Sequence, residues 1–143
     1  MRQGGTIVKD SKEVICLAAG DTYGVVMDTA VTAHPARAPY PRTEYSYLVP
    51  IRRGGYLERL YDVLNIVECL PDDVEKQKSN IPAEQYERLL RYHLIRSKTF
   101  GYGDGKQPYR FYILREHAVI RQPFQRRNIQ ISVKMKLEDI PLM

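Results

Sequence analysis

Apolar runs of strand length, separated by turn signals, set the pattern of this chain. Glu13-Val-Ile-Cys-Leu-Ala-Ala19 is almost continuously apolar, β-branched at its start and closed by Gly20, which predicts a central strand buried on both faces. Asp21 or Thr22 caps an expected helix running to about Ala33, with Val25, Val26, Thr29 and Ala30 on one face and Pro35 as its stop. Three prolines between His34 and Pro41 predict extended loop. Tyr45 to Ile51 reads as a strand in which Pro50 marks an edge or a bulge. Tyr56 to Leu70 fits either period: Leu57, Leu60, Tyr61 and Leu64 match a helix, while closeness to Gly54-Gly55 and the aliphatic and aromatic content favour a long strand.

After a polar linker from Pro71 to Asn80 comes the clearest helical pattern, with Tyr86, Leu89, Leu90, His93 and Leu94 on one face. Asn80 is its expected cap, Pro82 suits the first turn, and Arg88, Arg91 and Arg96 lie late, as the macrodipole prefers. Thr99 to Gly105 is a glycine-rich loop. Tyr109–Leu114 and Ala118–Ile120 read as strands. Asn128 to Met135 alternates Ile129, Ile131, Val133 and Met135 with polar residues, the mark of a half-buried strand. Thr6–Asp10 reads as a further short strand, and Leu137–Leu142 as an apolar turn that plugs the domain. Five to seven strands and two helices, not strictly alternating, predict an α+β fold: a small mixed β-barrel or strongly curved sheet flanked by two or three helices. The expected organisation is an N-terminal extension or short strand over 1–12 and a single domain over 13–143.

Composition changes this picture little. The 143 residues are 43% hydrophobic and 27% charged, as in ordinary globular proteins. No apolar run approaches the ~18 residues of a membrane span, and the N-terminal Met1–Gly5 has no apolar signal-peptide region. Cys16 and Cys69 lie within apolar runs, which favours buried thiols in a reducing, cytoplasmic setting. Charge is more telling. The net charge is +5, and fourteen arginines stand against eight lysines. Residues 70–87 are acidic, whereas Arg88–Arg127 and the block Arg37, Arg42, Arg52, Arg53 and Arg59 are basic. Guanidinium suits bidentate and stacked contacts to phosphates and bases, so a polyanion partner is favoured.

Candidate chemistry centres on Tyr40 to Tyr56, where four tyrosines and three arginines surround Gly54-Gly55. Rings stack on bases, guanidinium groups meet phosphates, and glycine lets a backbone approach. The same tyrosines also suit strand positions with wet hydroxyl ends. Lys98, Phe100 and Tyr102 present a cation and rings from the glycine-rich loop, though a helix C-terminal glycine explains that loop as well. Catalytic signatures are weak. His34, His93 and His117 have no metal-ligand spacing, and His93 fits a core-edge position. Asp72-Asp73 and Glu138-Asp139 lack the spacing of acid–base pairs, and neither cysteine has a cationic or histidine neighbour to activate it.

The buried strand Val14–Ala19 followed by a glycine and short helix, Tyr45-Ser-Tyr-Leu-Val-Pro-Ile51 with the turn Arg52-Arg53-Gly54-Gly55, and Leu60–Ile66 come in a characteristic order. They are followed by Tyr109–Leu114 ahead of a Pro123-containing loop, and by a closing strand that ends in Leu137–Ile140. From about Glu13 to Ile140 this order resembles the PUA-like superfamily, which includes the EVE and ASCH domains. The resemblance implies a small β-barrel flanked by helices that binds RNA or DNA, in several cases holding a modified base in an aromatic pocket. This chain has no tryptophan, which many such pockets use.

The function expected is therefore a nucleic-acid-binding module that recognises a modified or flipped base, without catalysis, cofactor or metal. Arg37, Arg42, Arg52 and Arg53 would meet phosphates. Tyr40, Tyr45, Tyr47 or Tyr102 would stack, with Lys98 and Phe100 beside them. Two rivals remain: a protein that binds or sequesters a nucleotide-like small molecule with the same inventory, and a metal-dependent enzyme on nucleic acid using Asp104, Glu116 or His117. A structural role in a phage or secretion assembly is a third.

Overall fold

The computed structural model describes residues 12–103, 105–125 and 131–143. The expected strand Thr6–Asp10, Asp104 and residues 128–130 of the last expected strand lie outside them. The elements are β1 (Glu13–Ala18), α1 (Tyr23–Thr29), β2 (Val31–Pro35), β3 (Tyr47–Arg52), β4 (Tyr56–Cys69), α2 (Ala83–Thr99), β5 (Tyr109–Gln125) and β6 (Ser132–Lys136). Short 3-10 turns occupy Gly20–Thr22, Pro71–Gln77 and Leu137–Asp139.

The strands form one mixed sheet in the order β2-β5-β4-β3-β1-β6, antiparallel except where β1 lies beside β3. The architecture is α+β, as expected, but the barrel alternative is not realised. Among the described residues β2 and β6 each pair on one side only, so the sheet remains open between them. Register shifts along β4 against β5, at Leu57/Arg59, Leu60/Tyr61 and Val63/Asn65, bend the sheet.

That bending splits the core. Ile15, Leu17, Leu48, Val63, Ile66, Tyr112 and Leu114 fill the inner side with Tyr45 and Tyr61. The opposite faces of β1, β3 and β4 bury Val14, Cys16, Val49, Ile51, Leu57 and Leu60 with Ile120 and Ile140. Both faces of β1 are thus covered, as its unbroken apolar run required. Ile140 is buried and Leu142 bridges to Ile120, so the C-terminal turn does plug this second cluster. The third cluster joins α2 to the sheet, with Leu89 and Tyr92 against Phe111 and Ile113. Pro50 sits at the bulge between β3 and β4, where its missing N–H costs no ladder bond. The 56–70 stretch is a strand, β4, for all but its last residue, Leu70.

Four expectations are corrected. The first helix ends at Thr29, because Ala30 turns left-handed (φ 55°) and donates its N–H to Val26 O. Val31 and Thr32, β-branched and fully buried, then pair with β5, and His34-Pro35 end that strand instead of opening a loop. On α2 the buried face centres on Leu89 and Tyr92, while Leu94 is 56% exposed. The expected face counted Leu94 and passed over Tyr92. Its hydroxyl accepts a bond from Arg96 Nη1 (2.8 Å), which lets the whole ring go inside. Finally, Pro82 occupies the cap position of α2, while Asn80 is turned back onto Gln77.

Candidate nucleic-acid interface

Where the sheet fails to close, the end of β1 faces the end of β2 across a cleft of about 170 Å³. Ala18, Ala19 and Thr22 form one wall, Ala33, His34 and Pro35 the other, and Tyr40, Arg96 and Ile131 complete it. The surface is more polar than apolar. Thr22 Oγ1 donates to Ala19 O (2.7 Å), which fixes the first wall.

The second wall is held by a chain of polar contacts. His34 is buried, and its Nδ1 lies 2.7 Å from Pro35 O. A carbonyl only accepts, so Nδ1 carries the hydrogen, and Nε2 accepts from the Tyr112 hydroxyl at 2.8 Å. Burial pushes the His34 pKa down to about 4, with nearby Arg110 acting the same way against the Pro35 bond and Glu68. The ring is therefore neutral at physiological pH. Tyr40 stacks on it nearly parallel, 9° between planes and 5.3 Å between centroids. Burial likewise raises the Tyr112 hydroxyl, to about 12. Arg110, itself buried, donates to Glu68 (2.6 Å) and to Thr43 O (3.2 Å).

These bonds tie down the loop that carries the expected ligands. Residues 36–46 are anchored by Ala36 N–H on Pro108 O, by Arg37 Nε on Gln107 Oε1, by Arg110 on Thr43 and by buried Tyr45. Arg37 and Arg42 are exposed on it, beside Tyr40. Both described partners of the Arg37 guanidinium, Gln107 and Ala38 O, are neutral, so its charge is not cancelled there. The loop after α2 lies alongside. Arg96 Nε donates to Gly101 O, and the guanidinium sits over the rings of Tyr102 (4.7 Å) and Tyr109 (5.1 Å). Gly101, at φ 78°, donates its N–H to Arg96 O and ends the helix, so the glycine serves the helix C-terminus there.

The other expected residues go elsewhere. Tyr45 is in the inner core, and Tyr102 is buried against Tyr109 and Phe111, its hydroxyl on His93 Nδ1 at 3.1 Å. His93 is the core-edge histidine its spacing suggested. Tyr47 lies on the outer face, edge-on to His117. Lys98 and Phe100 are exposed on the final turn of the helix that supplies Arg96. Arg52 pairs with Glu58 (3.1 Å) and lies over Tyr56; Arg53 pairs with Asp21, next to Thr22 of the cleft wall. Both cations at the hairpin tip already have acidic partners.

A second polar cluster lies on the outer face. Asp62 is 8% exposed and accepts from Arg115 (3.0 Å) and His117 Nδ1 (3.1 Å). Among the described residues no group of three histidine, cysteine or acidic side chains is placed to hold a metal ion. Burial pushes the Cys69 thiol up to about 11. Among the same residues no helix is long and apolar enough to cross a membrane.

Sequence reasoning missed Thr22, His34, Arg96 and Ile131 as cleft residues. Each reads locally as something else, a cap, a loop start, a helix-end cation or a strand residue, and only the open seam brings them together.

No protein-family profile matches the chain, and no curated protein matches it. Among solved structures, the ASCH protein of Zymomonas mobilis is similar at 14% identity, covering 88% of each chain with a TM-score of 0.50. A mutant form of that protein covers 92% of this chain and 93% of its own at 14% identity, with a TM-score of 0.49. The chain thus shares its overall fold with that ASCH protein.

Proposed function

We propose that this protein is a nucleic-acid-binding module that takes one unpaired base into the seam cleft and holds the adjoining phosphates with Arg37 and Arg42. The carrying observation is the preformed cleft itself, with a neutral, stacked His34–Tyr40 wall and an anchored basic loop at its mouth. Its volume is below the range of drug-sized pockets, which suits one flat ring better than a whole nucleotide. A flipped or single-stranded base fits that demand, and its stacking contributes ~1–3 kcal/mol. Binding rather than turnover is the role proposed. The expected modified base belongs to the same reading, as the cleft's candidate occupant.

Fluorescence anisotropy with labelled single strands of increasing length, across salt, tests this. Affinity is expected to rise from mononucleotide to short oligomer and to fall with salt. Binding of a mononucleotide as tight as an oligomer, unaffected by salt, would favour the small-molecule rival. No binding of either would refute both.

A further inference from the structure

We infer that the cleft prefers a base whose ring edge carries a carbonyl over one that presents an amino group, so that adenine is disfavoured. This deepens the binding reading above and rests on it. Among the described residues that line the cleft, Arg96 is the one cation and none is a carboxylate. Arginine has only donors, so it meets acceptor edges and repels an exocyclic amino group. Its plane is fixed in advance, by Gly101 O on Nε, Tyr92 on Nη1 and the two rings beneath it. Donors held in one orientation discriminate better than a flexible cation.

His34 removes the obvious competitor. Nδ1 is committed to Pro35 O and Nε2 to the Tyr112 hydroxyl, so the imidazole offers a face and no hydrogen bond to a ligand. Because it is neutral, it adds no charge that would blur the choice. Stacking on Tyr40 is blind to base identity, since every base has a π-face. Discrimination is thereby left to Arg96.

The test compares two twelve-residue DNA strands of abasic nucleotides that each carry one central base, adenine in one and hypoxanthine in the other, so that a single base competes for the cleft. The two bases differ at C6, carbonyl against amino, and at N1, which carries a hydrogen in hypoxanthine and accepts in adenine, while the N7 acceptor and the ring size are unchanged. The hypoxanthine strand is expected to bind at least about fivefold tighter, the low end for a good arginine–base contact. Arg96→Lys should bring the ratio close to one while overall binding persists, because lysine keeps the charge and loses the planar fork. Tyr40→Ala should weaken both strands alike. Equal affinities for wild-type protein, or preference for adenine, would overturn the inference and leave the binding reading standing. The wild-type comparison decides even if Arg96→Lys, which also braces Tyr92, fails to fold. Absence of binding to either strand at low salt would overturn both.

Discussion

Replacing His34 with Gln should change how stability depends on pH. His34 is neutral in the folded protein down to about pH 4, whereas in the unfolded chain it titrates at 6.5. Above pH 6.5 neither state binds the proton, so the full native stability is present. As pH falls below 6.5 the unfolded chain takes up the proton and the folded protein resists, so stability drains away until the folded pKa is reached. The gap from 6.5 to about 4, at ~1.4 kcal/mol per pH unit, corresponds to about 3 kcal/mol. For a chain of this size that is roughly 10 °C in melting temperature. The pH dependence of the whole chain is a sum over many groups, so wild type alone proves little. The difference from His34→Gln isolates the term. At pH 7.5 the variant should be the less stable, having lost the Tyr40 stack. By pH 4 that deficit should have shrunk or reversed by about 3 kcal/mol. Thermal melts by circular dichroism at half-unit steps read this directly. A gap that stays constant with pH would refute the burial of a neutral His34.

Two further outcomes follow from packing and charge. Tyr92→Ala empties a fully buried ring site and should cost ~3–5 kcal/mol in urea unfolding, whereas Leu94→Asp should change stability by no more than about 0.5 kcal/mol. The reverse ranking would restore the helix face that simple periodicity predicts. Arg52→Ala with Arg53→Ala breaks two exposed ion pairs, each worth ~0–1 kcal/mol, and should leave the salt dependence of oligonucleotide binding unchanged. Arg37→Ala with Arg42→Ala should reduce that slope by roughly one to two phosphate contacts, and the opposite pattern would move the phosphate track to the hairpin.

Much of the fold was legible because burial leaves a periodic trace. The two-sided run of β1, the bulge at Pro50, the long β4 and the C-terminal plug each follow from local pattern. Misreadings came where tertiary contacts override that pattern. Tyr92 was passed over, although Arg96 satisfies its hydroxyl and lets the ring go inside, and Val31–Ala33 continue a helix in sequence but gain more by pairing with β5. The cleft was legible only in part. Arg37, Tyr40 and Arg42 stand out as an arginine–tyrosine cluster, yet His34 and Arg96 are sixty-two positions apart and meet only because β2 and α2 share the open edge. Arg52 and Arg53 were equally conspicuous, and nothing in their own segment announces Asp21 as a partner.

The central claim, that a base enters the cleft between the ends of β1 and β2, is tested most directly by titrating isotope-labelled protein with a short single strand at low salt and following amide shifts. The account predicts the largest changes at Ala19, Thr22, Ala33, His34 and Tyr40, with Arg37 and Arg96 at the rim. Changes confined to the outer face around Tyr47, Asp62 and His117, or none at all, would contradict it.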